Sequence, residues 1–187
     1  MGGSFTLSGP RSRRSHYALT VTDTETDTEY AAYIAGLPRV LAGAAMLFRD
    51  AGGRVLLVEP NYRPGWALPG GTIESDEGES PRQGAHRETI EEIGLDIPPG
   101  RLLAVDWVTG ALRPPIVSYL YDGGVLSEER LASIRLQEEE LLSWRLVSRE
   151  EIPELVPGTL GFRLLVALDA LESGGATVEL ENGLRVG

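Results

Sequence analysis

Residues 68–95 read LPGGTIESDEGESPRQGAHRETIEEIGL, and this stretch carries a strand end, a glycine turn and a strongly marked helix. Ser80 is an N-cap residue, Pro81 stands at the first helical position and Gln83 completes a capping box. The spacing predicts a helix over 81–93, with Gly94 as its C-terminal stop. On that helix Glu88, Glu91 and Glu92 fall at i, i+3 and i+4, so they share one face. Carboxylates that close repel by about 0.2–0.5 kcal/mol per pair. A hard divalent cation among them removes the penalty. Arg87, four residues before Glu91, is placed to hold a carboxylate with a bidentate bond. Taken alone, the triplet is better read as a solvated acidic face. The flanks change the balance. Trp66-Ala-Leu68 reads as a short strand and Pro69-Gly-Gly71 as a tight turn. Together they bring bare backbone beside the carboxylates, where a carbonyl can ligate a metal and a phosphate can approach closely.

Working outward, 40–49 is an apolar strand, Asp50-Ala-Gly-Gly53 a turn and 54–59 a second strand, which together predict a hairpin. Upstream, 30–35 reads as a short helix ended by Gly36. In 20–29 Thr alternates with Asp or Glu, which reads as an exposed strand or a polar loop. Residues 1–15, rich in Gly, Ser and Arg, read as a flexible arm ahead of one domain spanning 16–187 with an N-terminal extension. Downstream come strands over 102–108 and 116–121, a short helix over 127–134 and a strand over 141–147. A second capping box follows at Ser148 and Glu151, then an amphipathic helix over 159–172 closed by Gly174-Gly175, and a last strand over 177–180.

Composition narrows the chemistry. The chain has 187 residues and a net charge of −11, and its 17 basic residues are all arginine. Without lysine there is no Walker A loop, no Schiff-base lysine and no Ser-x-x-Lys acylase. Without cysteine there is no thiolate nucleophile, disulfide framework or Cys-ligated metal. The histidines, His16 and His86, are too few and too far apart for a His-rich metal site. Metal chemistry here must use oxygen ligands, which suit Mg²⁺, Mn²⁺ or Ca²⁺. The acidity argues against non-specific nucleic-acid binding. The longest apolar run, 41–48, is too short to span a membrane, and 1–15 lacks the apolar stretch of a secretory signal. A cytoplasmic protein is expected, without a nucleic-acid or membrane partner.

The central stretch resembles the Nudix box, G-x5-E-x7-R-E-U-x-E-E-x-G-U, with U a bulky aliphatic. Arg87, Glu88, Glu91, Glu92, Gly94 and Leu95 match its second half. Agreement at the Arg, the three Glu and the Gly has a chance probability on the order of one in a million per start position. Counting back seven residues from Arg87 gives Glu79, and Gly71 fits the first glycine behind the lead-in Leu68-Pro-Gly-Gly71. Two departures stand out. Seven residues, not five, separate Gly71 from Glu79, an insertion that a loop accepts cheaply. Thr89 replaces the first aliphatic, which weakens packing behind the helix and removes no ligand.

The resemblance implies an α/β fold, the Nudix α/β/α sandwich with a mixed sheet. It implies hydrolysis of a diphosphate linkage in a nucleoside diphosphate joined to another group, with Mg²⁺ or Mn²⁺. By that likeness Glu88, Glu91 and Glu92 hold metal with the Gly70 carbonyl, while Glu79, Gly71 and Arg87 support the helix. The general base is Glu88 or Glu140, the latter from the run Glu138-Glu-Glu140 before the 141–147 strand. Tyr62, Arg63, Trp66 and Arg113 are candidates for substrate contacts, with core packing the competing role for Trp66. The physical argument agrees, since a pyrophosphate cannot approach so acidic a chain without cations. The alternatives are a non-catalytic nucleotide sensor and a hydrolase of a prenyl diphosphate. An isoprenoid isomerase lacks its cysteine here. The partner expected is a small phosphorylated, nucleotide-like substrate. Nudix relatives often dimerise, so the resemblance leaves a homodimer open.

Overall fold

The computed structural model describes residues 24–110 and 113–186. The chain divides into two compact units, Met1–Pro38 and Arg39–Gly187. The expected arm over 1–15 lies outside the described residues, as does His16.

In the first unit α1 spans Thr24–Ala35. Gly36 ends it, its N–H donating to the Ala32 and Tyr33 carbonyls at 3.1 Å. The strand-or-loop reading of 20–29 is overturned over 24–29, which is helical. An alternation of one polar type with another marks no buried face, so its period of two specifies nothing.

The second unit is built on a mixed sheet. Its strands are β1 (Leu41–Arg49), β2 (Val55–Pro60), β3 (Gly70–Thr72), β4 (Leu102–Val108), β5 (Ile116–Val125), β6 (Leu141–Val147), β7 (Val178–Glu181) and β8 (Leu184–Arg185). The helices are α2 (Pro81–Ile93), α3 (Glu128–Ala132), α4 (Ile152–Leu155) and α5 (Thr159–Glu172). The sheet order is β6-β2-β1-β5-β4-β7-β8, with β3 also paired to β1. β1 runs parallel to β5 and β4 parallel to β7, while the other pairs are antiparallel.

Both faces of the sheet are covered, which is why β1 and β2 read as continuous apolar runs. Side chains alternate between faces along a strand. Leu47, Val55 and Leu57 join Ile152, Leu164 and Leu168 of α4 and α5 in one core. Met46, Phe48, Leu56 and Val58 join Ala85 and Ile93 of α2 in the other. Helices on two faces of a mixed sheet make an α/β/α sandwich.

Four elements depart from the reading above. The β1–β2 hairpin is paired only at Arg49↔Val55, because another segment occupies the space between the strands. Ala67 bridges Val58 of β2, and Gly70–Thr72 pairs with Ala45–Gly43 of β1. Pro69-Gly-Gly71 is therefore not a tight turn. Its glycines form β3, and glycine is required there for close approach: a Cβ on Gly70 (φ +146°) would lie 2.3 Å from the Ala44 carbonyl oxygen. β5 continues past Tyr121 through a bulge opposite Leu47 and Phe48, where a Cβ on Gly123 would meet the Phe48 ring at 2.5 Å. β7 and β8 form a hairpin about Asn182-Gly183, both at positive φ. Among the described residues no helix is long and apolar enough to cross a membrane.

Candidate active site

The catalytic-looking residues stand on α2, and the sequence builds that helix from its caps. The Ser80 side chain accepts the Gln83 N–H, the Gln83 side chain accepts the Ser80 N–H, and Gly94 closes the helix in the left-handed conformation. Thr89, at the departure from the family pattern, is fully buried. Its hydroxyl donates to the Ala85 carbonyl at 2.8 Å, so no polar group is orphaned.

Arg87 is the hub of the site. Its Nε and Nη2 donate to the two Glu79 oxygens at 2.8 and 3.1 Å. The same Nη2 reaches the Thr72 carbonyl at 3.0 Å. Nη1 donates to Glu91 at 2.8 Å and to Glu88 at 3.0 Å. The bidentate partner of Arg87 is thus Glu79 rather than Glu91. The Arg87 hydrogen bonds hold the Glu79 carboxyl below the usual range, and the guanidinium is held firmly protonated. The two extra residues of the box loop are absorbed in a 3-10 turn at Ser75–Glu77. The loop is closed when the Glu74 N–H donates to Glu79 at 2.8 Å.

Glu92 is buried, at 5 % exposure, and accepts the Gly70 N–H at 2.7 Å. Its carboxyl is pushed up to about 8, chiefly by burial, with the charges of Glu88, Glu140 and Glu91 adding. Burial likewise raises Glu88, against the opposing pull of Arg87. Gly71 faces Glu88 so closely that a Cβ there would lie 2.4 Å from a carboxylate oxygen. Glu74, Glu88, Glu92, Glu140 and Tyr62 line one cleft, with Gly70–Thr72 as its wall. Glu140 reaches it because its loop is tied on both sides: Gln137 N–H donates to the Glu92 carbonyl and Asn61 N–H to the Glu140 carbonyl.

The structure brings together Gly70, Gly71, Glu79, Arg87, Glu88, Glu91, Glu92 and Glu140 through these contacts. Tyr62 is exposed at the cleft, and Arg63 lines a neighbouring slot. Trp66 packs against the α5-side core, with the Arg145 guanidinium 5.5 Å from its ring centroid. Trp66 and Arg113 line neither cavity, and Arg113 bonds the Pro114 carbonyl. His86 is half-buried and bonded to Asp96 at 2.8 Å. Sequence reasoning missed Glu74 and Thr72, which sit in the inserted loop or contribute only backbone. It also missed Asp106, whose signal was an acid on the inward side of the strand LLAVDWV.

Among the described residues no group of three acidic or histidine side chains stands arranged around a common metal point. Glu88 and Glu91 are turned to Arg87, and Glu92 to Gly70. The donor set still fits a hard divalent ion. It is all oxygen, its buried carboxyl is raised to about 8 chiefly by burial with the neighbouring carboxylates adding, and it faces backbone free of side chains.

The chain matches the profile of the NUDIX domain over residues 39–165. A MutT-like protein of Streptomyces ambofaciens is 32% identical over 138 residues, covering 70% of this chain and 77% of that protein. An RNA pyrophosphohydrolase of Cereibacter sphaeroides is 33% identical over 111 residues, covering 50% of this chain and 66% of that protein. In three dimensions, a MutT protein from Methanosarcina mazei Go1 superposes with a TM-score of 0.58 at 24% identity, covering 72% of this chain and 96% of that one. The sandwich with its glutamate-bearing helix therefore defines the class: the chain belongs to the Nudix family.

Proposed function

We propose that this protein hydrolyses the diphosphate linkage of a small, nucleotide-like substrate with Mg²⁺ or Mn²⁺, by attack of water on phosphorus. The observation that carries the reading is the buried Glu92, raised to about 8 amid Glu88, Glu91 and Glu140 and set against the bare Gly70–Gly71 backbone. With Glu92 raised this far, ionising all four carboxylates together at neutral pH requires positive charge beyond that of Arg87.

Glu88, Glu91 and Glu92, with the Gly70 carbonyl, would hold the ions. When bound, these ions neutralise the phosphates and lower the pKa of water. The chain's own residues do the rest. Glu79 fixes Arg87, and Arg87 holds Glu88 at the cleft and Glu91 beside it. Glu88 or Glu140 takes the proton from the attacking water. Tyr62 offers a ring at the cleft mouth for stacking, and Arg63 a charge for the substrate. In this reading Arg113 and Trp66 are peripheral contacts at most.

The reading extends to a cytoplasmic enzyme acting on small molecules rather than on nucleic-acid polymers or membranes. The net charge of −11 supports this, because polyanions are repelled. Assembly as a homodimer is part of the same proposal. The intact Glu88, Glu91 and Glu92 favour an enzyme over a nucleotide sensor. The test is a panel of nucleotide sugars, dinucleoside polyphosphates, nucleoside triphosphates and prenyl diphosphates with Mg²⁺, products being identified by mass. Cleavage of a phosphoanhydride with one oxygen from solvent water in a phosphate product supports the reading. Absence of cleavage with any divalent ion refutes it.

A further inference from the structure

The Gly70–Thr72 strand is the common wall of two cavities with opposite chemistry. One is the acidic cleft just described. The other is a slot of about 310 Å³ lined by no acidic residue. Small side chains of β1 and apolar groups of β5 form most of its surface, and its charged groups are Arg63 and Arg163. In a lysine-free chain of net charge −11, two arginines converging beside the carboxylates is an asymmetry that calls for a ligand. A largely apolar pocket of this size with a few directed polar groups is the usual form of a small-molecule subsite.

Arg163 arrives from α5, on the opposite side of the sheet from α2. Its Nε donates to Asp106 Oδ2 at 2.8 Å. Asp106 is fully buried, and its second oxygen accepts the Gly183 N–H at 3.1 Å. These bonds set the plane of the guanidinium. No further hydrogen bond to the Arg163 side chain occurs among the described residues, so its Nη edge is left for a ligand. The Arg163–Asp106 pair is neutral as a unit and supplies direction. Arg63, exposed and without a partner among the described residues, supplies net charge.

We infer that this slot holds the group joined to the diphosphate, and that this group presents hydrogen-bond acceptor oxygens read by Arg163 as Asp106 positions it. The inference rests on the hydrolase reading for where the diphosphate lies. A guanidinium only donates, and no carboxylate lines the slot to receive a donor. The O6 carbonyl of guanine, the O4 carbonyl of uracil or a phosphate oxygen satisfies the Nη edge. At the same ring positions adenine and cytosine carry an amino group, which meets donor with donor and is left unpaired.

Neutral nucleosides test the slot without involving the metal site. Binding of guanosine, adenosine, uridine and cytidine to the full chain is followed by NMR shift titration in EDTA, with inorganic phosphate as a competitor. Guanosine over adenosine and uridine over cytidine, each by roughly tenfold, supports a ring carbonyl. Phosphate binding that competes for the slot supports the phosphate form of the same chemistry. Asp106→Asn/Arg163→Gln removes the pair together, avoiding an unpaired buried Asp106, and is expected to bring the preference near unity. Arg163→Lys, which keeps the charge and loses the fork, gives the same readout if the double variant fails to fold. Arg63→Ala is expected to weaken phosphate binding and leave the base preference intact. Equal binding within each nucleoside pair together with no phosphate binding overturns the inference. So does a preference that survives in the folded double variant. Diphosphate turnover without the preference leaves the hydrolase reading standing, and the preference without turnover does the reverse.

Discussion

The Glu79 carboxylate grips Arg87 with both oxygens, at 2.8 and 3.1 Å, across a loop two residues longer than the family pattern. That contact couples the inserted loop to the helix carrying Glu88, Glu91 and Glu92. Glu79→Gln removes the charge and one acceptor from a largely buried pair. It is expected to cost about 1.5–3 kcal/mol in urea denaturation and to lower kcat more than KM. The wild-type advantage has a pH signature. Glu79 is held below its usual value by Arg87, so its stabilisation is present above pH 4.5 and lost as pH falls below that. The gap between wild type and Glu79→Gln should close in acid.

Glu92 gives the opposite slope. Its carboxyl binds a proton more tightly folded than unfolded, from about 4.5 up to about 8. Metal-free protein should therefore lose stability as pH rises through that window, by an amount of the order of a few kcal/mol. Mg²⁺ should raise the melting temperature far more at pH 8 than at pH 5.5. Thermal melts in EDTA and in Mg²⁺ across this range give the answer, and parallel curves contradict it.

The two glycines of β3 should separate stability from chemistry. An added Cβ at Gly71 meets the movable end of Glu88, whereas at Gly70 it meets the β1 backbone at a positive φ. Gly71→Ala is expected to keep the melting temperature within a few degrees and to cut activity at least tenfold, on the order expected for a displaced catalytic group. Gly70→Ala is expected to destabilise by roughly 1–3 kcal/mol or more. Melting curves and initial rates on both variants decide this.

The inserted turn should be dispensable. Ser75–Glu77 forms an exposed 3-10 turn that contributes no buried side chain. Deleting Asp76 and Glu77 restores the family spacing and is expected to leave activity within about threefold, since loop length is a weak lever on stability. Loss of the Glu79–Arg87 contact would show as a stability loss resembling that of Glu79→Gln.

What was legible in the chain follows from which signals are local. The α2 caps, the span of α5 and the bounds of β6 were readable because each rests on residues within one or two turns. The acidic face of α2 was readable for the same reason. The role of Pro69-Gly-Gly71 was not. Glycines that mark a turn also mark close backbone approach, and only the β1 partner distinguishes them. The shortened β1–β2 hairpin follows from that same intrusion. The Asn182-Gly183 hairpin carried a strong local signal, since Asn-Gly suits two positive φ angles, and it was passed over. Asp106 and Arg163 are 57 residues apart, and no pattern along the chain pairs them. Glu140 was placed by its position before β6, and its arrival beside Glu92 depends on long-range backbone bonds.

The central claim is that the α2 carboxylates hold a divalent cation required for turnover. Calorimetric titration of Mg²⁺ into wild type and Glu92→Gln at pH 8, with turnover of the best panel substrate measured on the same samples, tests it most directly. The account predicts saturable Mg²⁺ binding and Mg²⁺-dependent turnover in wild type. It predicts weaker binding and at least a hundredfold lower turnover, on the scale of a lost key electrostatic group, in folded Glu92→Gln. Equal Mg²⁺ binding and equal turnover in the two proteins would contradict it.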